Sequence, residues 1–500
     1  MTGNVVVDSD RPLEPDGGAP TGGTRRPGRF GRLAGGLGRP GPHAYGVGAV
    51  TVVFGALYSL YSLLRHFHYQ SGLFDLGIFD QVVRGYAHFH APRTTIIHLD
   101  GPHDPGTLQL ADHFSPLLAA LAPLYWIHDD PTTLLVAQAA LFALAIPPLW
   151  LFARRRLGTA PAYLVAVGFG LSWPLQAAVG YDVHEVALAV PVTAWALERA
   201  TAGRHRQAAA ISLLLLLVKE DMGLVVAALG LLLASWGSRR LGTALTAAGL
   251  AAVGVTTRVL IPAFGGSADR DWTYGHLGAN PVQALWHLVA HPADSLHYGA
   301  TPGTKWVTLL WLFAPLLFLP LLSPITLLAV PLLLERMLSG NSSYWGTSFH
   351  YNAYLVAILF FAAVDGAARV RGRLPDRARR PAPAVAMAAV AVVAAAVLPH
   401  WPLWKLTDTA WWETGSSGHT TSVALSHVPP GVSVGVDRYL GTHLTARNRQ
   451  VTEFPDTHHR YPGVKPDWVL TEEGPDARRL LTQGYRVAWS GSPFVVLRRT

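Results

Sequence analysis

Two aspartates five positions apart open an amphipathic segment early in the chain. The segment reads FDLGIFDQ over residues 74–81 and places Asp75 and Asp80 among apolar side chains. Five α-helical residues turn through about 500°, so the two acids do not share a helix face. Asp80 and Arg84 stand at i,i+4, and we expect an ion pair that holds the pKa of Asp80 low. Asp80 is therefore predicted to be structural.

Asp75 has no basic residue three or four positions further along, which leaves its carboxylate available as a general base. Its apolar neighbours in the segment are expected to shield it and raise its pKa toward the range that favours proton abstraction. The alternative is that Asp75 caps the helix that follows, because it precedes the helical pattern. A capping carboxylate can also face solvent, so the two roles are compatible.

Two further charged groups stand between apolar runs, and both are expected at outer helix ends. Residues 207–218 reach only about 18 Å of a hydrocarbon core of about 30 Å, so the charges beside this run are expected in a sunken outer cavity. The alternative is a structural role, because a helix dipole stabilises acids in the first turn. The first group contains Asp182, His184 and Glu185, and the second contains Lys219, Glu220 and Asp221.

Four other polar residues are weaker candidates. Arg258 lies inside an apolar run near its outer end, where it must reach the interface or meet an anion such as a lipid-linked phosphate. His350 precedes a later apolar run, and a structural interfacial role is the alternative to ligand binding there. A divalent metal ion could bind to Asp112 and His113, although the spacing matches no metal signature; the further ligands would be His98, His103, Asp182, His184 and Glu185.

Composition predicts the class of protein that carries these residues. Half of the 500 residues are apolar, only 14% are charged and the mean hydropathy is +0.27, which indicates a membrane protein. The net charge of +8 is not arranged as the aromatic-interleaved basic stripe that binds nucleic acid. The absence of Cys excludes disulfides, thiolate metal sites and a Cys nucleophile.

Apolar runs and basic clusters together predict the topology. Eleven runs are treated as membrane spans, whereas residues 113–127 are too short to cross and are expected along the outer interface. An N-terminus in the cytoplasm places every basic cluster on the cytoplasmic side. The runs are 44–64, 132–153, 160–180, 186–201, 207–218, 222–236, 241–262, 306–322, 324–338, 351–368 and 384–399, and the basic clusters lie within 25–32, 154–156, 204–206, 239–240 and 369–380.

Three parts of the chain follow from these runs. Residues 1–43 are rich in Gly, Pro and Arg and are expected to be a disordered cytoplasmic terminus. Residues 44–399 form an α-helical polytopic membrane domain with outer loops 65–131 and 263–305. Residues 400–500 show the alternation of a small α/β extracytoplasmic domain. Its strands are expected near 432–436, 450–454, 467–471, 485–489 and 493–498, and its helices near 439–447 and 475–483.

Five segments, in one order, resemble a known family: FDLGIFDQ, HFSPLLAALAPLY, ARRRLG, YDVHE and LVKEDMGL. Over residues 45–500 the chain resembles the predicted membrane proteins of domain-of-unknown-function family two thousand and seventy-nine. That family is similar to the GT-C glycosyltransferases. The resemblance implies a multi-pass protein of the plasma membrane that transfers a sugar from a polyprenyl-phosphate carrier to a cell-envelope acceptor on the outer side.

The same resemblance implies roles for individual residues. Asp75 matches the base in the first outer loop of GT-C enzymes. The adjacent acidic pair common in that loop is absent, because Asp80 lies five positions away, so both acids are kept as catalytic candidates. Cations for the leaving phosphate would be Lys219, Arg258, His184 and His350, and supporting acids, able to orient them or hold a metal, would be Asp182, Glu185, Glu220 and Asp221.

Two other classes of protein are compatible with this composition. A transporter or channel is expected to carry charges near the membrane midplane, whereas the charges here are predicted to be peripheral. An outward-facing sensor or scaffold would use residues 400–500 to bind a partner and the spans as an anchor. The glycosyltransferase-like interpretation uses more of the charged residues, and it leaves the sugar, the acceptor and a divalent metal cofactor open.

Overall fold

The computed structural model describes residues 41–98, 101, 103–269, 272–413, 416–456, 459–461 and 463–500. The predicted disordered terminus lies almost entirely outside this part, since only residues 41–43 of it are described. Contacts divide the chain into Met1–Tyr45 and Gly46–Thr500. The second unit contains all the candidate site residues.

Helices make up most of the described chain. Those of eight or more residues are α1 (Pro42–Phe67), α2 (Ile78–Ala87), α3 (Pro116–Tyr125), α4 (Thr132–Leu157), α5 (Thr159–Val179), α6 (Ala189–Thr201), α7 (His205–Leu217), α8 (Gly223–Ser235), α9 (Arg239–Ala263), α10 (Pro281–Ala290), α11 (Pro292–Ala300), α12 (Thr304–Phe313), α13 (Val330–Leu338), α14 (Ala353–Arg373), α15 (Ala382–His400), α16 (Ser416–Ser426) and α17 (Pro475–Thr482).

Six described helices are long and apolar enough to cross a membrane: α1, α4, α5, α9, α14 and α15. Each coincides with one of the predicted runs. The other five runs fold as α6, α7, α8 and two interrupted segments that contain α12 and α13. In the run 306–322, α12 ends at Phe313, and a short 3-10 turn (Ala314–Leu316) leads to Leu317 and Phe318, which both have a left-handed φ of 55°. The count of eleven spans therefore stays a prediction, and α3 is as short as the sequence indicated.

Helix α14 is the centre of the membrane part. Its residues from Ala353 to Ala367 are buried, and it packs against α4, α5 and α6. Aromatic rings fill the contacts, with Phe361 stacked on Phe152 at 4.9 Å between ring centroids. Helices α1, α9 and α15 instead leave most of their apolar surface exposed. Such surfaces are stable against lipid and unfavourable against water, which fits a membrane location.

The C-terminal segment contains the largest sheet. Strands β1 (Arg93–Thr94) and β2 (Thr107–Leu108) form a small hairpin in the outer loop, and β3 (Ser433–Val436), β4 (Gln450–Glu453), β5 (Trp468–Glu472), β6 (Tyr485–Gly491) and β7 (Phe494–Arg499) follow in the tail. The tail sheet has the order β4-β3-β5-β7-β6, with β3 parallel to β4 and β5 and with β7 antiparallel to its neighbours. Its strands lie where the sequence predicted them.

The helix predicted near 439–447 is wrong. This stretch contains only the short 3-10 turn Gly441–His443. The Asp437 carboxylate accepts the N–H of Tyr439 at 2.8 Å, which favours a turn over a helix start. A Cβ on Gly441 would lie 2.7 Å from the side chain of Leu73, so the turn packs directly on the outer loop. The tail and the loop that carries Asp75 therefore share one core.

Candidate active site

Asp75 lies on a strained turn between α1 and α2. Its backbone has φ 66° and ψ −79°, a left-handed conformation that L residues rarely adopt. Helix α2 begins at Ile78 with Gly77 at its N-cap, and no side chain caps it. The capping interpretation of Asp75 is therefore wrong. Strain of this kind persists only where the surrounding structure enforces it, and it concentrates at functional sites.

The Asp75 carboxylate lies beside a cavity of about 210 Å³. It is hydrogen-bonded to the Tyr181 side chain, and among the basic residues His184 lowers its pKa most. Desolvation by the surrounding protein raises its pKa, against the opposing effects of His184 and the Tyr181 hydrogen bond. This direction matches the sequence expectation. The remaining walls of the cavity are Phe74, Arg438, Glu453 and Arg460.

Asp182 holds the turn that carries Asp75 in place. Its carboxylate accepts the Arg65 guanidinium at 2.6 Å and the N–H of Gly72 at 2.8 Å. Burial raises the pKa of Asp182 to about 6, and Arg65 and the Gly72 hydrogen bond oppose that rise. Its backbone oxygen accepts the Gln138 amide at 2.9 Å. Asp182 thus connects α1, α4 and the Asp75 turn, and it lines neither of the two cavities described here.

Both carboxylate oxygens of Asp80 are engaged by neighbouring side chains. It pairs with Arg84 at 2.5 Å, as the i,i+4 spacing predicted, and accepts the Tyr125 hydroxyl at 2.8 Å. Arg84 also contacts Asp129 at 2.6 Å. The expectation of a low pKa is wrong, because complete burial of Asp80 raises the pKa more than Arg84 lowers it. Its carboxylate faces partners and not a cavity, which agrees with a structural residue.

The two remaining charged groups meet behind Asp75. The imidazole of His184 stacks on that of His350 with 3.4 Å between ring centroids. His184 Nδ1 is 3.0 Å from a Glu185 oxygen, and Lys219 Nζ is 3.7 Å from the other. Burial opposes ionisation of Glu185, but His184 and Lys219 outweigh it and hold the pKa of Glu185 well below its usual range. Together, His184, Glu185, Lys219 and His350 form one cluster that contains two imidazoles, one ammonium group and one carboxylate.

A second cavity, of about 240 Å³, adjoins this cluster. His113 Nδ1 is 2.9 Å from a carboxylate oxygen of Glu220, so the two side chains form an ion pair. Arg258 reaches the rim and pairs with Asp269 at 2.9 Å, both side chains being partly exposed. The predicted site residues that line this cavity are Asp112, His113, Lys219, Glu220, Asp221, Arg258 and His350.

The candidate metal residues do not assemble a metal centre. No group of three or more His, Asp or Glu side chains in the described parts of the chain is arranged to hold an ion. His113 is paired with Glu220, and Asp182 is paired with Arg65. We therefore derive no step through a metal ion.

Comparison with protein families matches residues 65–486 to the family described as predicted membrane protein, DUF2079. The chain belongs to this family. The DUF2079 chain is also similar to solved structures of ArnT from Cupriavidus metallidurans, bound to undecaprenyl phosphate (TM-score 0.53, 13% identity) and in the apo state (TM-score 0.51, 15% identity). Each similarity covers 91% of this chain and 98% of the ArnT chain.

A weaker similarity links it to the archaeal oligosaccharyltransferase AglB from Archaeoglobus fulgidus, in complex with an inhibitory peptide and a dolichol-phosphate. The TM-score is 0.41 with 13% identity, over 86% of this chain and 70% of AglB. The similarity to ArnT shows that the DUF2079 chain shares the fold of that membrane protein. Comparison with curated proteins finds no match.

Sequence reasoning missed several cavity residues of this DUF2079 chain. Glu335 and Arg336 line the second cavity. They are adjacent charged residues inside an apolar run, and this pattern in the sequence indicates a functional role. Tyr181 directly precedes Asp182 in the YDVHE segment, but nothing in its type indicated a bond to Asp75. Arg438 and Arg460 come from the tail, far from Asp75 in sequence, and only the folded chain brings them to it.

Proposed function

We propose that this protein transfers a sugar from a polyprenyl-phosphate donor to an acceptor at the outer face of the membrane, with Asp75 as the general base. The observation that carries the proposal is the Asp75 carboxylate, held on a left-handed turn at a cavity and hydrogen-bonded to Tyr181. Strain and a raised pKa at one carboxylate beside a cavity favour a role in proton transfer.

In the proposed reaction, the Asp75 carboxylate accepts the proton of an acceptor hydroxyl. The acceptor oxygen forms a bond to the anomeric carbon of the sugar while the bond from that carbon to the phosphate oxygen breaks. The electron pair of that bond leaves with the polyprenyl phosphate, and the proton stays on Asp75 until solvent takes it. Positioned acid-base groups of this kind contribute about 10²–10⁴-fold to a rate.

The proposed site for the leaving phosphate is the cluster of His184, Glu185, Lys219 and His350. Lys219 supplies a buried positive charge, and His184 and His350 supply hydrogen-bond donors at its side. Among the described residues, neither ring nitrogen of His350 has a hydrogen-bond partner. Preorganised cations and donors stabilise negative charge that develops as a phosphate leaves. We assign Arg258 to the rim, where Asp269 already engages it.

The similarity to ArnT supports the choice of donor class. The matched ArnT structure is bound to undecaprenyl phosphate, and the similarity extends over nearly all of that chain. The fold by itself does not establish an activity, because one fold hosts many functions. The geometry of the Asp75 cavity and the Lys219 cluster supplies the second line of support.

The test is turnover of radiolabelled polyprenyl-phosphate sugars by the purified protein in detergent. Transfer of label to an envelope extract, lost on Asp75→Asn, supports the proposal. Uptake of solute into proteoliposomes without transfer would favour a transporter. Ligand binding confined to residues 400–500, with neither activity, would favour a sensor or scaffold.

A further inference from the structure

The tail supplies three walls of the Asp75 cavity. Phe74, Asp75 and Tyr181 come from the membrane part, and Arg438, Glu453 and Arg460 come from the strands and loops of the tail sheet. None of the three tail residues was a candidate on sequence grounds. Their charges decide what this cavity can bind.

Most of the charges in this cavity have partners. Arg460 lies 3.7 Å from Glu453 and places its guanidinium 3.8 Å from the centre of the Phe74 ring. Asp75 is hydrogen-bonded to Tyr181. Arg438 differs: its guanidinium lies 5.4 Å from the centre of the Tyr439 ring, but no carboxylate of the described residues is within ion-pair distance of it, and its buried Nε has no hydrogen-bond partner. Buried donors in folded proteins normally form hydrogen bonds, so the unpaired Nε–H of Arg438 indicates that a bound ligand supplies the acceptor.

The backbone holds Arg438 close to the Asp75 turn. Its carbonyl oxygen accepts the N–H of Leu73 at 2.6 Å, two residues before Asp75 in the chain. Leu73 is fully buried and packs on Gly441, so the bond lies inside a rigid contact between loop and tail. The backbone of Arg438 is therefore held next to the Asp75 turn, which limits the positions that its guanidinium can reach to the neighbourhood of this cavity.

We propose that Arg438, with Arg460 beside it, forms an anion-binding subsite for a carboxylate or phosphate group on the molecule that enters this cavity. A guanidinium binds either group through two parallel hydrogen bonds. The inference rests on the proposed function in one respect. We take the anionic molecule bound by Arg438 to be the sugar acceptor, whose hydroxyl then lies near Asp75. Glu453 limits the positive charge by pairing with Arg460, so it sets the strength of the subsite.

Binding can be measured without any sugar donor. Full-length protein in detergent is titrated by calorimetry with methyl glucuronide, glucose 6-phosphate and neutral methyl glucoside, which separate carboxylate, phosphate and uncharged sugars. We expect at least one anionic sugar to bind about tenfold or more tightly than methyl glucoside, a difference of about 1.4 kcal/mol. Arg438→Gln should abolish this preference, and Glu453→Gln should increase it because it frees Arg460.

Arg449→Gln is the matched control. Arg449 directly precedes strand β4, its side chain is 71% exposed, and it contacts Asp467 at 3.6 Å, away from the cavity. It should leave the preference unchanged. Equal binding of charged and neutral sugars by the wild type, or an unchanged preference in Arg438→Gln, overturns the inference.

The transfer assay separates this inference from the proposed function. A preference for anionic sugars that depends on Arg438, in a protein that turns over no polyprenyl-phosphate sugar, would support the subsite and contradict the proposed reaction. Sugar transfer that depends on Asp75, in a protein with no such preference, would support the reaction and contradict the subsite.

Discussion

Asp182 and Arg65 form a buried ion pair at 2.6 Å that holds α1 against the loop before α6. The other Asp182 oxygen accepts the N–H of Gly72, three residues before Asp75. The pair therefore positions the turn that carries Asp75, and neither residue lines either of the two cavities. We predict that Asp182→Asn destabilises the protein by about 3–5 kcal/mol, because it leaves Arg65 buried without its counter-charge. Thermal unfolding in detergent measures this.

The matched control for Asp182 is Asp269→Asn. Asp269 forms an exposed pair with Arg258, so its loss should change the unfolding free energy by no more than about 1 kcal/mol. Equal destabilisation by the two variants would contradict the positioning role of Asp182.

Asp75→Asn should preserve folding and reduce sugar transfer by at least about 10²-fold, because it removes the proposed base while keeping the shape of the side chain. Asp80→Asn should instead cost stability more than rate, since it breaks a buried pair with Arg84. Transfer rates and unfolding temperatures are compared at equal expression. Near-normal turnover by Asp75→Asn together with inactive Asp80→Asn would move the base to Asp80.

The transfer rate should fall at acidic pH, and the midpoint of this fall (the acid limb of the pH profile) should lie above the ordinary pKa of aspartate. Burial raises the pKa of Asp75, and a base is active only when deprotonated, so the rate falls as pH falls through that raised value. Tyr181→Phe removes a hydrogen bond that lowers the pKa of Asp75, so the limb should move to higher pH. Tyr485→Phe, in the tail sheet, is the control and should not move it. A limb unchanged by Tyr181→Phe would argue against Asp75 as the titrating base.

Stability should depend on pH through His113 and Glu220. Burial and Lys219 lower the pKa of His113, but Glu220 and Asp112 outweigh them and raise it from 6.5 to about 10. Burial raises the pKa of Glu220, but His113 outweighs it and lowers it from 4.5 to about 2. The stabilisation is complete between about pH 4.5 and 6.5, is lost toward pH 10 as His113 deprotonates, and is lost toward pH 2 as Glu220 protonates. The unfolding temperature of the wild type relative to His113→Gln should follow this window, whereas a difference that grows from pH 7 to 10 would contradict it.

Topology can be tested with single cysteines, because the chain has no native Cys. An impermeant thiol reagent on intact cells should label Ser416→Cys, in the tail, and should not label Ser238→Cys, beside the predicted cytoplasmic cluster Arg239 and Arg240. Labelling after permeabilisation controls for access to Ser238→Cys. The reverse pattern would contradict both the topology and the proposed reaction at the outer face.

The sequence by itself determined the features that depend on local patterns. Hydropathy identified the six long helices, because each contains a long enough apolar stretch of its own. Alternation located the five tail strands, and i,i+4 spacing identified the partner of Asp80. Apolar neighbours of Asp75 indicated the direction of its pKa shift.

Only the tertiary structure decided which distant residues meet. The His184 and His350 stack, the Lys219 contact with Glu185 and the Arg438 contribution to the Asp75 cavity all join segments far apart in the chain. The left-handed angle of Asp75 likewise lies on a turn held by distant residues: Asp182 accepts the N–H of Gly72, and the backbone oxygen of Arg438 accepts the N–H of Leu73. Local patterns set helices, strands and short-range pairs, whereas packing of the tail against the outer loop sets the shape and charge of the cavity.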